Sequence, residues 1–264
     1  MLKGIIFDMD GVLINSEPFH YQVWKEVLKQ RGIEISYEIY KPCIGSTVSF
    51  LMEILHEHYG VDPQDRSLPE QVKITKEEMI QKQGYPPLIP YVKEMLERFQ
   101  RAGYMMAVAS SSPKAYIEQV TAFWGIDHYF QILVSGEQVQ HPKPAPDVFL
   151  KAAEILGILP QECLVIEDSE NGCKAAKAAD MTCMAYYNPD SGKQKLNTAA
   201  VVVEGFEEID AMFAEKIYCH HHHLPALVCE TERLLIKEME EKDIPRLMEI
   251  CSQETSQDAC EGIA

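Results

Sequence analysis

The chain has no long apolar run, few basic residues and no closely paired cysteines, and each absence excludes a class of protein. Its 264 residues contain no stretch of about 18 apolar residues, so we expect no membrane-spanning helix. The N-terminus leads at once into a short apolar segment, without the charged and apolar regions of a secretion signal. These absences predict a cytoplasmic protein with no membrane partner.

The eight cysteines are scattered along the chain and form no Cys-x-x-Cys pair of the kind that ligates zinc. Such scattering in a long chain is typical of reduced thiols rather than of a disulfide framework. A run of four histidines, His220 to His223, follows Cys219. Because adjacent histidines rarely converge on one metal ion, we predict that residues 213–228 are a linker.

Basic residues are scarce, since 24 Lys and Arg stand against 41 Asp and Glu and the formal net charge is -17. A protein that binds nucleic acid needs a basic surface to meet the phosphates, so we expect no nucleic-acid partner. An acidic enzyme can still bind a small phosphorylated metabolite where a metal ion and one or two cations lie nearby. With 46% hydrophobic residues, the chain can bury a sizeable core, and we expect a monomer.

What the chain does contain is a pair of aspartates after a short apolar run. Residues 5–7 are too few for a helix before Gly11, so they are predicted to form a buried strand. Asp8 and Asp10 then share one face, where two carboxylates repel unless a cation or a shared proton relieves them. Taken alone, the pair fits either a metal-dependent site or a solvated acidic turn.

Beyond this pair, the pattern predicts a helical insertion and then alternating strands and helices. Helix formers and apolar stripes dominate residues 16–86, which we predict to be all helical. Alternation from residue 87 onward is typical of an α/β fold with a doubly wound parallel sheet. The predicted elements are helices at 17–31, 90–102, 113–124, 145–156 and 171–179, and strands at 104–109, 130–135, 163–167 and 181–186.

Polar residues follow the predicted strands at the point where each strand ends. Ser110 follows one strand, and Glu167 and Asp168 follow another. In an open doubly wound sheet, ligands bind outside the carboxyl ends of the strands. We therefore expect these residues to converge with Asp8 and Asp10 on one crevice.

Four elements in this order resemble the signature motifs of the haloacid dehalogenase (HAD) superfamily. They are Asp8-x-Asp10-Gly11, Ser110, Lys143-Pro144-x-Pro146-Asp147 and Glu167-Asp168-Ser169-x-x-Gly172. The resemblance covers about residues 1–212, and it implies a Rossmann-like HAD core at 1–15 and 87–212. Residues 16–86 would form an inserted α-helical cap domain, an arrangement similar to the subgroup of β-phosphoglucomutase and the sugar-phosphate phosphatases.

The resemblance also implies catalytic and phosphate-binding roles. Asp8 would be the nucleophile that forms an aspartyl-phosphate intermediate, and Asp10 would be the general acid and base. Ser110, Ser111 and Lys143 would bind the phosphoryl group through hydrogen bonds and one positive charge. Together these residues could neutralise the group that is transferred.

The cofactor implied by the resemblance is Mg²⁺. Its ligands would be Asp8, the backbone carbonyl of Asp10 and the carboxylate of Asp168, which are hard oxygen donors of the kind that Mg²⁺ prefers. Glu167 would be a further ligand, or a hydrogen-bond acceptor that lies behind the ligands and does not touch the metal ion.

Substrate choice is predicted to rest with the cap, where His20, Trp24 and Lys73 are the candidate substrate residues, although a packed His and Trp on a helix would look the same. The mutase of this subgroup carries an arginine just after the glycine of the cap loop, whereas Ser46 follows Gly45 here. This departure favours a Mg²⁺-dependent phosphatase that hydrolyses a small phosphorylated carbohydrate. A β-phosphoglucomutase-like phosphosugar mutase and a non-catalytic sugar-phosphate binding module are the alternatives.

Within the segment 229–264, about residues 229–255 resemble the opening strand and first helix of a GNAT-type N-acetyltransferase. The strand would lie over residues 230–238 and the helix over 242–248. The Gly-rich loop that binds the pyrophosphate of acetyl-CoA in that family is absent from the sequence. We therefore predict a truncated GNAT-like segment without acetyltransferase activity.

Overall fold

A six-stranded parallel sheet forms the centre of the computed structural model, which describes residues 1–44, 47–230, 235–239 and 241–245. The strands are β1 (Gly4–Phe7), β2 (Met105–Ser110), β3 (Ile132–Ser135), β4 (Cys163–Glu167), β5 (Thr182–Tyr186) and β6 (Val201–Val203). Their order is β3-β2-β1-β4-β5-β6, which is the doubly wound arrangement predicted from the sequence. The order reverses between β1 and β4, so a crevice opens there at the carboxyl ends of the strands.

Nine helices accompany the sheet in the described part of the chain. They are α1 (Glu17–Gln30), α2 (Tyr37–Tyr40), α3 (Val48–Tyr59), α4 (Ser67–Gln83), α5 (Val92–Arg101), α6 (Lys114–Phe123), α7 (Asp147–Leu156), α8 (Glu170–Ala178) and α9 (Ala211–His221). The alternation along β1 divides the core in two. Ile5 and Phe7 pack with α5, α6 and α9 on one face of the sheet, whereas Ile6 packs with α7 and α8 on the other.

Helices α1 to α4 pack around a separate apolar core. Leu28, Leu55 and Leu68 are fully buried in it, and Trp24 is 6% exposed. These helices lie between β1 and β2 in the sequence, and we refer to residues 16–86 as the cap. The cap therefore carries its own hydrophobic stabilisation, separate from that of the sheet.

The predicted linker over residues 213–228 is wrong for most of its length. Helix α9 contains His220 and His221, and its buried residues Ala214, Ile217 and Tyr218 pack with the main core. Their spacing of three and four residues gives an apolar helical face, which the histidine run obscured in the sequence. Asp210 caps the N-terminus of the helix, and its side chain accepts a hydrogen bond from the Phe213 amide.

After α9, strands β7 (Leu227–Glu230) and β8 (Leu235–Lys237) form an antiparallel pair. Of the helix predicted over residues 242–248, residues 246–248 lie outside the described residues, while Glu241–Asp243 form a 3-10 helix. Among the helices in the described ranges, none has the length and apolar character needed to cross a membrane.

Candidate active site

A cavity of about 210 Å³ opens at the carboxyl edge of the sheet, where the strand order reverses. Loops that follow β1, β2 and β4 supply most of its walls. The structure brings together the predicted catalytic, phosphate-binding and metal-ligand residues in this one cavity. They are Asp8, Asp10, Ser110, Ser111, Lys143, Glu167 and Asp168.

Lys143 is the centre of the charge network in this cavity. Its Nζ lies 2.5 Å from Asp8 Oδ1 and 2.7 Å from Glu167 Oε1, and it also donates to the carbonyl of Ala109 at 3.1 Å. Burial alone lowers the pKa of Lys143, but the two carboxylates outweigh it and raise the pKa above its usual value. The ammonium group is therefore charged at neutral pH and fixed beside the predicted nucleophile.

Both carboxylate oxygens of Glu167 are engaged. Oε1 accepts from Lys143, and Oε2 accepts from the amides of Asp168 and Ser169 and from the Ser169 hydroxyl, each at 2.9 Å. A Cβ on Gly172 would lie 1.7 Å from Oε1, so only glycine leaves room at this point in the first turn of α8. These contacts fit the second of the two predicted roles, an acceptor behind the metal ligands.

The carboxylate of Asp168 is fixed from two sides. Ser191, in the loop after β5, donates its hydroxyl to Asp168 Oδ2. On the other side, Gly11 approaches so closely that a Cβ there would lie 2.0 Å from the same oxygen. The Gly11 carbonyl in turn accepts from the Asn188 amide at 2.9 Å. The loop after β5 thus positions both the first motif and the last.

Asp10 has one oxygen held and one oxygen open. Oδ2 accepts a 2.7 Å hydrogen bond from the Ser112 hydroxyl, while Oδ1 is buried without a hydrogen-bond partner in the described structure. The Ser112 amide donates to Ser110 Oγ at 3.1 Å, which links the loop after β2 to the position of Asp10. The hydrogen bond from Ser112 fixes the carboxylate, and Oδ1, which has no partner, can exchange a proton with a ligand in the cavity.

The donor set can be tested against a divalent cation. Burial raises the pKa of Asp8 to about 7, opposed by Lys143 and reinforced by Glu167 and Asp10. Burial, then Glu167 and Asp8, raise the pKa of Asp168 well above its usual value. A cation between two such carboxylates would favour their charged forms.

Within the described ranges, no three side chains of His, Cys, Asp or Glu gather closely enough to hold a metal ion. Mg²⁺ does not need such a cage, because it is usually bound by one or two carboxylates with water and substrate phosphate as the other ligands. Asp8 and Asp168 therefore form a donor set that fits Mg²⁺.

Two of the three predicted cap residues border a second cavity, of about 160 Å³. His20 and Trp24 both line it, and Trp24 belongs at the same time to the core of the cap. Burial lowers the pKa of His20 to about 4, with Lys76 adding to the fall and Asp10 opposing it. The imidazole is therefore neutral at neutral pH.

The third cap residue, Lys73, is exposed and lines neither cavity. The structure places Lys76 near the site instead, with its Nζ 4.0 Å from the ring centroid of Tyr116. Burial lowers the pKa of Lys76, and the charge of Asp10 opposes this fall. The two lysines are almost one helical turn apart in α4, and the one that contacts α6, Lys76, is the one that lies near the site.

Sequence reasoning missed the polar residues that orient the motif residues. Ser112 and Ser191 donate to the two carboxylates of Asp10 and Asp168, and Asn188 donates to the first motif. The signal was present, because the residues after β5 also stand at the carboxyl edge of the sheet. No motif of the resembling family marks that strand end, so these residues were overlooked.

The close approach of Gly11 to Asp168 leads to a prediction about Gly11→Ala. Gly11 has φ +82 with Asp168 against it, whereas Gly103 has φ +81 and open space around it. Gly103→Ala should lower the free energy of unfolding by about 1 to 2 kcal/mol, which is the cost of left-handed backbone alone. Gly11→Ala should cost about 1 to 3 kcal/mol more through overlap, and should raise the Mg²⁺ concentration for half-maximal activity about 10-fold.

Urea unfolding and a Mg²⁺ titration of phosphate release measure the two effects for each variant. Equal losses of stability with an unchanged Mg²⁺ requirement would show that Asp168 moves freely and that Gly11 does not position it.

Comparison with known proteins agrees with this geometry. Residues 5–186 match the family described as haloacid dehalogenase-like hydrolase. The fructose-1-phosphate phosphatase YqaB of Escherichia coli K12 is 34% identical over 179 residues, which cover 67% of this chain and 93% of that protein. A phosphorylated carbohydrates phosphatase of Thermotoga maritima is 28% identical over 214 residues, covering 79% of this chain and 96% of that one.

Among solved structures, a β-phosphoglucomutase from Clostridium difficile has the same fold, with a TM-score of 0.67 and 21% identity over 84% of this chain and 100% of that one. The match to the family extends over well more than half of the 264 residues, and it includes all four motifs. The chain therefore belongs to the haloacid dehalogenase-like hydrolases and is an enzyme, as its four motifs predicted.

Proposed function

We propose that this enzyme is a Mg²⁺-dependent phosphatase that hydrolyses a small phosphorylated carbohydrate through an aspartyl-phosphate at Asp8. The observation that carries the proposal is the buried Asp8 carboxylate, held by Lys143 at 2.5 Å in a cavity that also contains Asp10 and Asp168. The names of the two curated relatives, both phosphatases of phosphorylated sugars, support the substrate class.

In the first step, a carboxylate oxygen of Asp8 attacks phosphorus and the bond between phosphorus and the sugar oxygen breaks. Asp10, which lines the cavity and has one oxygen without a hydrogen-bond partner in the described structure, gives its proton to the departing sugar oxygen. The products of this step are the free sugar alcohol and phosphorylated Asp8.

In the second step, Asp10 takes a proton from a water molecule and the water oxygen attacks phosphorus. The bond between phosphorus and Asp8 breaks, which releases inorganic phosphate and restores the carboxylate. The hydrogen bond from Ser112 holds Asp10 in place through both proton transfers.

Charge on the phosphoryl oxygens is neutralised by the residues around them. Lys143 provides a buried positive charge, and Ser110 and Ser111 border the same cavity with hydroxyl and amide donors. Mg²⁺, held by Asp8 and Asp168, would supply further positive charge to the phosphoryl group when bound.

The test is phosphate release from a panel of sugar monophosphates by the purified chain, with Mg²⁺ and with excess EDTA. We expect turnover that falls at least about 100-fold in EDTA and returns when Mg²⁺ is added back. In a rapid-quench experiment with a ³²P-labelled sugar phosphate, the unmodified chain should form labelled protein that hydroxylamine releases, and Asp8→Asn should form none. Turnover that is insensitive to EDTA, or equal labelling of Asp8→Asn, would contradict the proposal.

A phosphosugar mutase is the second candidate, because His20 and Lys76 extend from the cap close enough to Asp10 to interact with its charge. Groups in this position can hold a sugar while it rotates within the cavity between two phosphoryl transfers. Isomerisation of a sugar monophosphate that depends on the sugar bisphosphate, with negligible phosphate release, would establish the mutase instead.

A further inference from the structure

The cap cavity and the catalytic cavity meet at two residues, Glu17 and Ile44, which line both. Glu17 begins α1, directly after the first motif and its turn. A phosphate ester seated with its phosphorus at Asp8 would place the rest of its molecule past Glu17. The side chain at position 17 therefore lies beside the part of a substrate that joins the phosphate to its leaving group.

The carboxylate of Glu17 is largely buried beside other acidic groups. Burial, then the charges of Asp10 and Asp190, raises the pKa of Glu17 to about 7. Across the described residues, the Glu17 carboxylate accepts no hydrogen bond, and two buried polar atoms of residues that line the adjoining cavities, Asp10 Oδ1 and His20 Nε2, also lack partners. A ligand with hydroxyl groups could satisfy all three, since a hydroxyl can donate to carboxylates and accept from an imidazole.

The charge of the cap cavity points to a neutral occupant. No Lys or Arg stands among the described residues that line it, and its charged member is Glu17. His20 is neutral at neutral pH, and Lys76 packs over Tyr116 outside the lining of this cavity. A second phosphate placed here would face the Glu17 carboxylate, and Lys76, which acts on His20, lies outside the lining and does not pair with Glu17.

The remaining walls suit a sugar ring. Trp24 and Leu51 offer apolar surface to C–H groups, while Tyr40 and Thr47 offer hydroxyls. Burial, then the charge of Glu17, raises the pKa of Tyr40, so its hydroxyl stays protonated and can donate at neutral pH. Apolar surface with a few polar groups is the usual lining of a small-molecule site.

From these observations we infer that Glu17 is a specificity-determining residue, which accepts a hydrogen bond from a hydroxyl of a neutral polyhydroxylated leaving group and excludes substrates that carry a second phosphate. The inference rests on the proposed phosphatase function and adds to it the part of the substrate that the cap selects.

The experiment compares kcat/KM for fructose 1-phosphate with kcat/KM for fructose 1,6-bisphosphate in the full chain with Mg²⁺, at about pH 8.5, above the pKa of Glu17, where its carboxylate is charged. Glu17→Gln removes the charge and keeps an acceptor, so the preference for the monophosphate should fall at least about 10-fold. Glu17→Asp keeps the charge but withdraws the acceptor, so monophosphate turnover should fall while the bisphosphate stays excluded. The matched control is Glu26→Gln, an exposed residue of the same helix that lines neither cavity, and it should keep the wild-type preference.

Circular dichroism confirms that each variant is folded before its kinetics are compared. Equal losses on both substrates in Glu17→Gln, with an unchanged preference, would overturn the inference while leaving the phosphatase function in place. Failure of the wild-type chain to release phosphate from any sugar phosphate in the panel is a different result, which would overturn the proposed function and the inference together.

Discussion

Asp8→Asn should abolish phosphate release, with kcat/KM falling at least about 10⁴-fold, because the amide cannot form the acyl phosphate that both steps require. The substitution is nearly isosteric and removes one of the mutually repelling carboxylates that raise the pKa of Asp168. We therefore expect the variant to fold and to keep binding the substrate. Steady-state kinetics measure the loss, and calorimetry with a sugar monophosphate measures the binding that remains.

A matched control is Asp62→Asn, an exposed aspartate of the cap whose side chain accepts a hydrogen bond from the Gln64 amide. This variant makes the same chemical change far from both cavities and should retain wild-type kinetics. Mg²⁺-dependent turnover that persisted in Asp8→Asn would show that another group attacks phosphorus, and the proposed mechanism would be wrong.

The second large effect is expected for Lys143→Met, which should damage stability and activity together. The lysine side chain is 6% exposed and is paired with two carboxylates that are themselves 10% and 1% exposed. Its removal leaves both charges buried without a cation, which costs about 3 to 5 kcal/mol in comparable pairs. Loss of its charge from the phosphoryl group should lower kcat at least about 100-fold. Urea unfolding and steady-state kinetics measure the two losses.

Lys174→Met provides the comparison, because Lys174 pairs with Glu170 at 2.6 Å on the surface of α8. That pair is 48% and 31% exposed, so its loss should change the free energy of unfolding by about 0 to 1 kcal/mol and leave kcat as it is. If the two methionine variants were equally stable, the buried network around Lys143 would not contribute to the fold as we have argued.

The sequence was sufficient to predict the fold and the cavity for one physical reason. Residues 5–7 and 163–166 are continuous apolar runs typical of buried strands in a parallel sheet, and the strands that contain them are neighbours in the structure. Once strands are assigned, the carboxyl-end rule places Asp8, Ser110 and Asp168 together.

What the sequence could not give depends on how separate helices pack. Lys73 and Lys76 are both lysines of the same predicted helix, and the sequence does not show which of them lies near the site. The contact of Lys76 with Tyr116 on α6 distinguishes them. Ser191 is unremarkable in the sequence, because its role depends on β5 lying next to β4. Likewise, the apolar residues of α9 that pack in the core identify it as a helix, whereas its histidine-rich end suggested a linker.

The strand order also determines when this site can exist during synthesis. Strand β1 is made first, but it pairs with β2 and β4, and Asp8 meets Lys143 across a separation of 135 residues. At about 5 to 20 residues per second, roughly 10 to 40 s pass between the synthesis of Asp8 and that of Ser191. The contacts within the cap are local by comparison, so its four helices can pack before β2 and β4 are made. Until then the apolar residues of β1 remain unpaired and exposed. The earliest strand of the sheet is thus among the last to reach its final position, and chaperone binding during translation should concentrate on this segment.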